Sequence, residues 1–165
     1  MRFLDKKFKE NKRQYIFQSL LAGFTVALAL VFLDVVRQPV IIASFGASAF
    51  VAFTVPHLRI SGPKNLIGGY VVGVIVGVLI HNLAEIFNSI YLLDRIMTVI
   101  AGGAAVVLAV FFMTITDTEH APATSIALGL VINEWTYHTV ILILLGIIII
   151  STVQRFLRPQ MIDLL

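Results

Sequence analysis

The stretch that decides the fold is DTEHAPATSIALGLVI, residues 117–132, which lies between two long apolar runs yet carries two acids, a histidine and a proline. Its apolar part after Pro122 has about 11 residues, and a helix that rises about 1.5 Å per residue cannot cross a ~30 Å hydrocarbon core at that length. Irregular backbone at membrane depth persists only where protein or a water-filled cavity surrounds it. We therefore expect a half-helix, a re-entrant segment or the end of a tilted helix here, supported by the rest of the chain.

The composition of the chain indicates an integral membrane protein. Of its 165 residues, 59% are hydrophobic and 13% are charged, and the mean hydropathy is +0.98. A soluble domain of this size could not cover so much apolar surface with polar groups. The formal charge of +3 does not indicate a nucleic-acid partner, because the lysines and arginines form no stripe with interleaved aromatic residues. Without cysteine, the chain has no disulfide, thiolate metal site or cysteine nucleophile.

Apolar runs, some long and two short, predict an all-α polytopic transmembrane helix bundle. The runs cover residues 15–33, 40–55, 66–80, 96–115, 121–132 and 138–153. We expect a basic N-terminal segment at 1–14, a single transmembrane domain at 15–156 and a short tail at 157–165. Because the order long, short, long occurs twice, the halves 15–81 and 96–154 would begin on opposite sides of the membrane. That order predicts a 3+3 inverted repeat, an arrangement in which transporters place substrate sites at broken helices.

The distribution of Lys and Arg predicts the orientation in the membrane. If all six runs cross or dip, the N-terminal segment, the break at 56–65 and the C-terminal tail share one side and carry ten basic residues. Only Arg37 and Arg95 fall on the other side. Because basic loops stay in the cytoplasm, we expect a multi-pass inner-membrane protein with both termini cytoplasmic. A four-span alternative keeps the termini inside but moves Arg59 and Lys64 outside.

Three glycines on the third run predict close helix packing. Gly69, Gly73 and Gly77 recur every four residues, so they share one face of a helix. Small residues on such a face let a second helix backbone approach closely within a membrane. We expect these glycines to serve helix packing rather than ligand binding.

The two short elements are the predicted binding region. A helix that begins inside a membrane protein presents unpaired N–H groups and a partial positive charge at its first turn, which suits an anion. Both short elements are rich in small and hydroxyl residues, so we expect accessible backbone N–H groups and hydroxyl donors there. The predicted anion-binding residues are Ser44, Gly46, Ala47, Ser48, Asn65, His120, Thr124 and Ser125.

Several of these residues have a structural alternative. His120 either contacts the anion or acts as a helix cap or interfacial histidine. Asn65 is either the N-cap of the third helix or a ligand-facing group. Ser48 and Ser125 either line the site or are small residues at a packed helix interface.

Catalysis and metal binding have little support in the sequence. Asp117, Glu119 and His120 are metal-ligand residue types, but the two acids are two positions apart and need not converge. Ser125 and His120 lack the spacing of a nucleophile and its general base. We therefore expect no enzymatic activity, no cofactor and no metal.

Three blocks of sequence carry a family resemblance. They are FGASA at 45–49, Pro56 with GPKNLIGG at 62–69, and HAP at 120–122 followed by ATS. In order and spacing these blocks resemble the HPP family of small integral membrane proteins, named for a His-Pro-Pro motif. The chain departs from that pattern at Ala121, where the first proline would fall, and at Tyr70, where the family often has histidine.

The resemblance implies a membrane protein with several spans, and some relatives are implicated in nitrite transport in plastids and cyanobacteria. It agrees with the anion binding expected of helix N-termini. We therefore expect a small transporter or channel for a monovalent inorganic anion, with nitrite as the first candidate. The alternative is a non-transporting structural or regulatory membrane subunit whose glycine faces mediate assembly. Because a chain of this length has few helices with which to surround a pathway, we expect a homo-oligomer, most simply a dimer.

Overall fold

The computed structural model describes residues 6–32, 39–91 and 94–165, and within them the chain forms a bundle of six α-helices. The helices are α1 (Lys6–Phe32), α2 (Pro39–Thr54), α3 (Pro63–Tyr91), α4 (Asp94–Ile115), α5 (Ala121–Ile132) and α6 (Tyr137–Leu157). Among these described helices, α1, α3, α4 and α6 are long and apolar enough to cross a membrane, whereas α2 and α5 are short. The predicted all-α membrane bundle is therefore confirmed.

Helix α3 is longer than the sequence predicts. It continues to Tyr91, whereas the apolar run in the sequence ends at residue 80, so the extent predicted from that run is too short. His81 Nε2 lies 3.5 Å from Glu85 Oε1 one turn later, which shows how polar residues continue the helix after the apolar run ends. The end of an apolar run indicates where a helix leaves the hydrocarbon layer of the membrane. It does not indicate where the helix ends, and α3 continues for about three more turns.

The N-terminal basic segment is part of a helix. Helix α1 begins at Lys6, and a non-helical backbone conformation at Asn11 marks a kink within it. The remainder of the predicted segment, residues 1–5, and Arg37, between the first two apolar runs, lie outside the described residues.

Two connections and the segment after α6 lie at one end of the bundle. Arg59, in the α2–α3 connection, pairs with Asp117 in the α4–α5 connection. The backbone N–H of Leu164, beyond α6, donates to the carbonyl of Thr54 at the end of α2 at 2.7 Å. Trp135, in the α5–α6 connection, contacts the far part of α3 instead. The two short helices, like the long ones, therefore carry the chain from one end of the bundle to the other.

Helix α5 lies parallel to α3 at backbone contact distance. A Cβ atom on Gly73 would lie 2.5 Å from the carbonyl oxygen of Ala123, and one on Gly77 would lie 2.9 Å from that of Ala127. Gly69 faces the start of α5 in the same way. The step from Gly73 to Gly77 on α3 equals the step from Ala123 to Ala127 on α5, so the two backbones stay close over this turn, and residues without a side chain permit the approach.

Candidate functional site

The polar stretch begins with the turn that ends α4. Asp117 has a left-handed backbone conformation, with φ of 57°, which Asp tolerates better than most residues. The N–H of Thr118 bonds to the carbonyl of Met113 at 2.9 Å, and that of Asp117 bonds to the carbonyl of Thr114 at 3.3 Å. These bonds form a Schellman-type cap, with Asp in the position that Gly usually takes. The turn sends the chain back into the bundle, toward His120.

Two basic side chains hold this turn from outside. Arg59 contacts Asp117, and its Nη2 atom lies 2.7 Å from Glu119 Oε2. Lys64 Nζ lies 2.7 Å from Asp117 Oδ2. The hydrogen bond from Lys64, followed by that from Arg59, holds the pKa of Asp117 below its ordinary value. The two cations and two anions form a neutral cluster at this end of the bundle.

Removing the charge of Asp117 is expected to destabilise the protein in a pH-dependent manner. Asn tolerates a left-handed backbone, so Asp117→Asn removes the ion pairs and keeps the turn. Because the folded-state pKa lies below the ordinary value of 3.8, the carboxylate contributes fully well above pH 3.8, and its contribution is lost as the pH falls below that value. The unfolding temperature of Asp117→Asn should therefore be lower than that of the wild type at pH 7. In acid, the two unfolding temperatures should converge. Identical unfolding temperatures at pH 7 would show that the ion pairs of Asp117 contribute nothing.

Asn65 connects the same turn to α3. Its Nδ2 atom donates to the carbonyl of Glu119 at 3.1 Å, and only 2% of Asn65 is exposed. Helix α3 begins at Pro63, which places Asn65 inside the first turn of the helix. The expectation that Asn65 is an N-cap is therefore wrong, and the side chain instead holds the backbone that leads to His120.

Beneath the turn, four buried polar side chains form one hydrogen-bond network. Ser48 Oγ lies 2.9 Å from His120 Nε2 and 2.8 Å from Tyr70 Oη. Tyr70 Oη lies 2.9 Å from Ser44 Oγ, which donates to the carbonyl of Pro122 at 2.6 Å. None of the four side chains belongs to a residue more than 2% exposed. Polar and ionisable groups inside a membrane bundle are costly, which makes this network the leading candidate for a functional site.

Local structure explains why these residues meet. Ser44 and Ser48 are one turn apart on α2, so they share the face that points toward α3 and α5. Tyr70 follows Gly69, whose missing side chain lets His120 approach α3. His120 occupies the N-cap position of α5, but its side chain makes no capping hydrogen bond. His120 is therefore the N-cap by position, and its imidazole is directed at Ser48 instead of the first turn of α5.

Gly46 and Ala47 do not face the network. Helix α2 runs without a break from Pro39 to Thr54, so both residues lie in mid-helix, where backbone N–H groups bond within the helix. Both residues are exposed on the outer surface, and Gly46 lines a groove against α1. The expectation that this part of α2 offers free N–H groups to an anion is wrong, because the helix begins two turns earlier.

The first turn of α5 has few free donors. Pro122 has no N–H, and the N–H of Ala123 bonds to the carbonyl of His120 at 2.9 Å. The hydroxyl of Thr124 donates to the carbonyl of Ala121 at 2.7 Å and is thus used within the helix. An anion at this site would depend on the side chain of His120 more than on the backbone.

An open cavity of about 350 Å³ reaches His120 between α4 and α5. Its lining residues are Val110, Met113, Thr114, Glu119, His120, Ala121 and Thr124. Ser48 and the half-buried Ser125 are not among them, so the two serines do not share this cavity. The Nδ1 atom of His120 is buried and has no hydrogen-bond partner within the described residues, although the ring lies near the backbone of Ile60. Across those residues, no three His, Asp or Glu side chains converge as a metal site would require.

The chain is similar to known membrane proteins. Residues 8–159 match the family model described as HPP, transmembrane region. A transmembrane protein of Dictyostelium discoideum is 31% identical over 113 residues, which cover 66% of this chain and 37% of that protein. The chain therefore matches little more than a third of that relative's length, and no solved structure matches it. Ser44, Ser48, Tyr70 and His120 all lie in or beside the three blocks, and the protein belongs to the HPP family of integral membrane proteins.

Proposed function

We propose that the protein is a small transporter or channel for a monovalent inorganic anion, with nitrite as the first candidate. The observation that carries the proposal is the buried network of Ser44, Ser48, Tyr70 and His120 at the start of α5, beside an open cavity. Ionisable groups in this setting typically mark ion or substrate pathways. A protonated imidazole has a second N–H, which can donate to an anion. The proposal includes no catalytic step and no cofactor.

The local charge supports a monovalent ligand. Arg59 and Lys64 are balanced by Asp117 and Glu119, so these exposed groups carry no net charge as a cluster. One proton on His120 would then be the uncompensated charge of the site. A single positive charge in an apolar bundle matches one negative charge, whereas a divalent anion would leave an unpaired charge at high cost.

We also propose that the two halves form an inverted repeat. In each half the first long helix contacts the short helix, as in α1 with α2 and α4 with α5. Each short helix contacts the last helix of the other half, as in α2 with α6 and α5 with α3. The first and last helices also pair across the halves, α1 with α6 and α4 with α3. Exchanging the halves maps this set of contacts onto itself, as an inverted repeat requires.

The proposal further places the basic end of the bundle in the cytoplasm of an inner membrane, since basic connections are retained there. It also includes a homo-oligomer, most simply a two-fold dimer, because a single small bundle has little room for a pathway. Cross-linking of the protein in membranes, with cysteines introduced on one exposed face at a time, would reveal the face that pairs.

The arrangement of glycines favours transport over the alternative of a non-transporting subunit. That alternative relies on glycine faces for assembly with other chains. Gly69, Gly73 and Gly77 are instead used inside this chain, against the start and middle of α5. A partner helix could not reach the same face without displacing α5.

Nitrite uptake into proteoliposomes tests the proposed function. Ser48→Ala removes the hydroxyl that joins His120 to Tyr70, and a hydrogen bond worth about 0.5–1.5 kcal/mol corresponds to a reduction in uptake of up to roughly tenfold. Ser125→Ala is the matched control, because Ser125 lies outside the network. We expect its uptake to equal that of the wild type.

Two results would contradict the proposal. No uptake of nitrite, nitrate, formate, bicarbonate or chloride by folded wild-type protein would overturn transport and favour the subunit alternative. Equal uptake by the wild type and both serine variants would leave transport standing but remove the network from the pathway.

A further inference from the structure

The hydrogen bonds of the buried network can run in only one direction. Ser44 has one hydroxyl proton, and the carbonyl of Pro122 can only accept. The 2.6 Å separation between Ser44 Oγ and this carbonyl places that proton between them. Ser44 Oγ must therefore accept its second hydrogen bond from the hydroxyl of Tyr70, at 2.9 Å.

The same proton count determines the rest of the network. Tyr70 has given its proton to Ser44, so the hydroxyl of Ser48 must donate to Tyr70 Oη at 2.8 Å. Ser48 Oγ can then only accept at its 2.9 Å contact with His120 Nε2. The Nε2 atom therefore carries a proton whether the imidazole is neutral or charged. Neutral His120 is restricted to the tautomer with no proton on Nδ1.

This restriction determines what His120 can bind. In the neutral state, Nδ1 presents a lone pair, which repels an anion. Nδ1 is also the one side-chain polar atom of the network without a partner in the described residues. An anion can be held there only after Nδ1 has taken a proton, because the imidazolium then donates an N–H with a full positive charge behind it.

The groups around His120 provide no charge in place of that proton, and the connection between α2 and α3 brings only the uncharged backbone of Ile60 near the ring. Helix α2 contributes the uncharged Ser48, and α3 contributes Tyr70, whose ring centroid lies 5.9 Å from that of the imidazole. The cavity side, formed by α4, contributes Val110, Met113 and Thr114, all uncharged. On the two connections that lead to the site, the charged Arg59, Asp117 and Glu119 pair with one another and with Lys64 in the first turn of α3.

We propose that each anion binds together with one proton, which is held on His120 Nδ1, so that the protein moves the elements of a neutral weak acid across the membrane. The inference rests on the proposed anion transport and adds its coupling. Nδ1 takes the proton from water when the anion binds and returns it to water when the anion leaves, so no other bond forms or breaks. Movement of one anion with one proton carries no net charge.

The direction of the network can be tested without transport. The nitrogen-15 shifts of His120, in protein labelled at its histidines and assigned with His120→Gln, distinguish the two neutral tautomers and the imidazolium. Without added anion, the wild type should show the tautomer protonated at Nε2. Addition of sodium nitrite should convert His120 to the imidazolium. A neutral wild-type tautomer protonated at Nδ1, or nitrite binding without protonation, overturns the coupling.

Tyr70→Phe should uncouple the anion from the proton. Without the Tyr70 hydroxyl, Ser48 is free to donate to Nε2, and neutral His120 can carry its proton on Nδ1 and hold an anion unaided. Proteoliposomes loaded with a pH dye should therefore show one proton per nitrite for the wild type, above the leak of protein-free vesicles, and a ratio that falls toward zero for Tyr70→Phe. A merely structural role for Tyr70 would slow uptake and leave the ratio at one.

The remaining outcomes separate the coupling from the function. Nitrite uptake by the wild type without protons overturns the coupling and leaves the proposed transport intact, whereas no uptake by folded wild type overturns both. If Tyr70→Phe does not fold, Ser44→Ala provides the same test. Tyr70 can then donate to Ser48, and Ser48 can donate to His120.

Discussion

Replacing His120 with glutamine is expected to reduce nitrite uptake by roughly 10- to 100-fold. The glutamine amide can still donate to Ser48, so the buried network keeps its end group, but the side chain takes no proton and offers an anion no charge. The loss corresponds to a charge-assisted hydrogen bond worth about 1.5–3 kcal/mol. The measurement compares initial uptake rates of proteoliposomes that contain equal amounts of wild-type and variant protein.

The matched control for this variant is His138→Gln. His138 is exposed near the start of α6, so the same chemical change there should leave uptake unaffected. Equal rates for His120→Gln and the wild type would show that the imidazole is not part of the pathway. Equal losses in the two histidine variants would show an effect unrelated to the network.

The largest effect on stability is expected at Gly73. In Gly73→Ala the new Cβ atom would lie 2.5 Å from the carbonyl oxygen of Ala123, which is backbone and cannot rotate away. Helices α3 and α5 would have to separate, and overpacking of this kind costs about 1–3 kcal/mol. Thermal unfolding in detergent, followed by the fluorescence of the single tryptophan, Trp135, should show a lower midpoint.

Gly103→Ala is the control for this change, because nothing lies within 4 Å of a Cβ atom at Gly103 on α4. Alanine favours a helix over glycine by about 1 kcal/mol, so this variant should be as stable as the wild type or more stable. Gly73→Ala as stable as Gly103→Ala would contradict the close contact between α3 and α5.

The helices were largely predictable from the sequence because a membrane imposes a length on each apolar run. The short run that follows Pro122 indicated a helix unlike its long neighbours, and α5 is 12 residues long. The far end of α3 was not predictable in this way, because apolar composition indicates contact with lipid and says nothing about where a helix stops in water. The start of α2 was predictable, since the apolar run begins at residue 40 and the helix begins at Pro39, but this unbroken helix leaves Gly46 and Ala47 with no free backbone donors.

The candidate site was predictable only in part. Ser44, Ser48 and His120 drew attention as polar residues in apolar surroundings, and the structure brings them together. Tyr70 was missed as a network member, because a tyrosine in an apolar run is typical of a helix core. The one signal was its position beside the Gly68–Gly69 pair. Thr124 and Ser125, on α5, lie outside the network. The network forms only where α2, α3 and the start of α5 meet, and the sequence does not show which side chains point there.

The most direct test of an anion site at His120 is an experimental structure of the protein at saturating nitrite. The arrangement described above predicts density for the anion at the end of the cavity between α4 and α5, within hydrogen-bond distance of His120 Nδ1. It also predicts that Ser48 keeps its contacts with Tyr70 and His120. A bound anion elsewhere in the bundle, or none near His120 at saturation, would contradict the site.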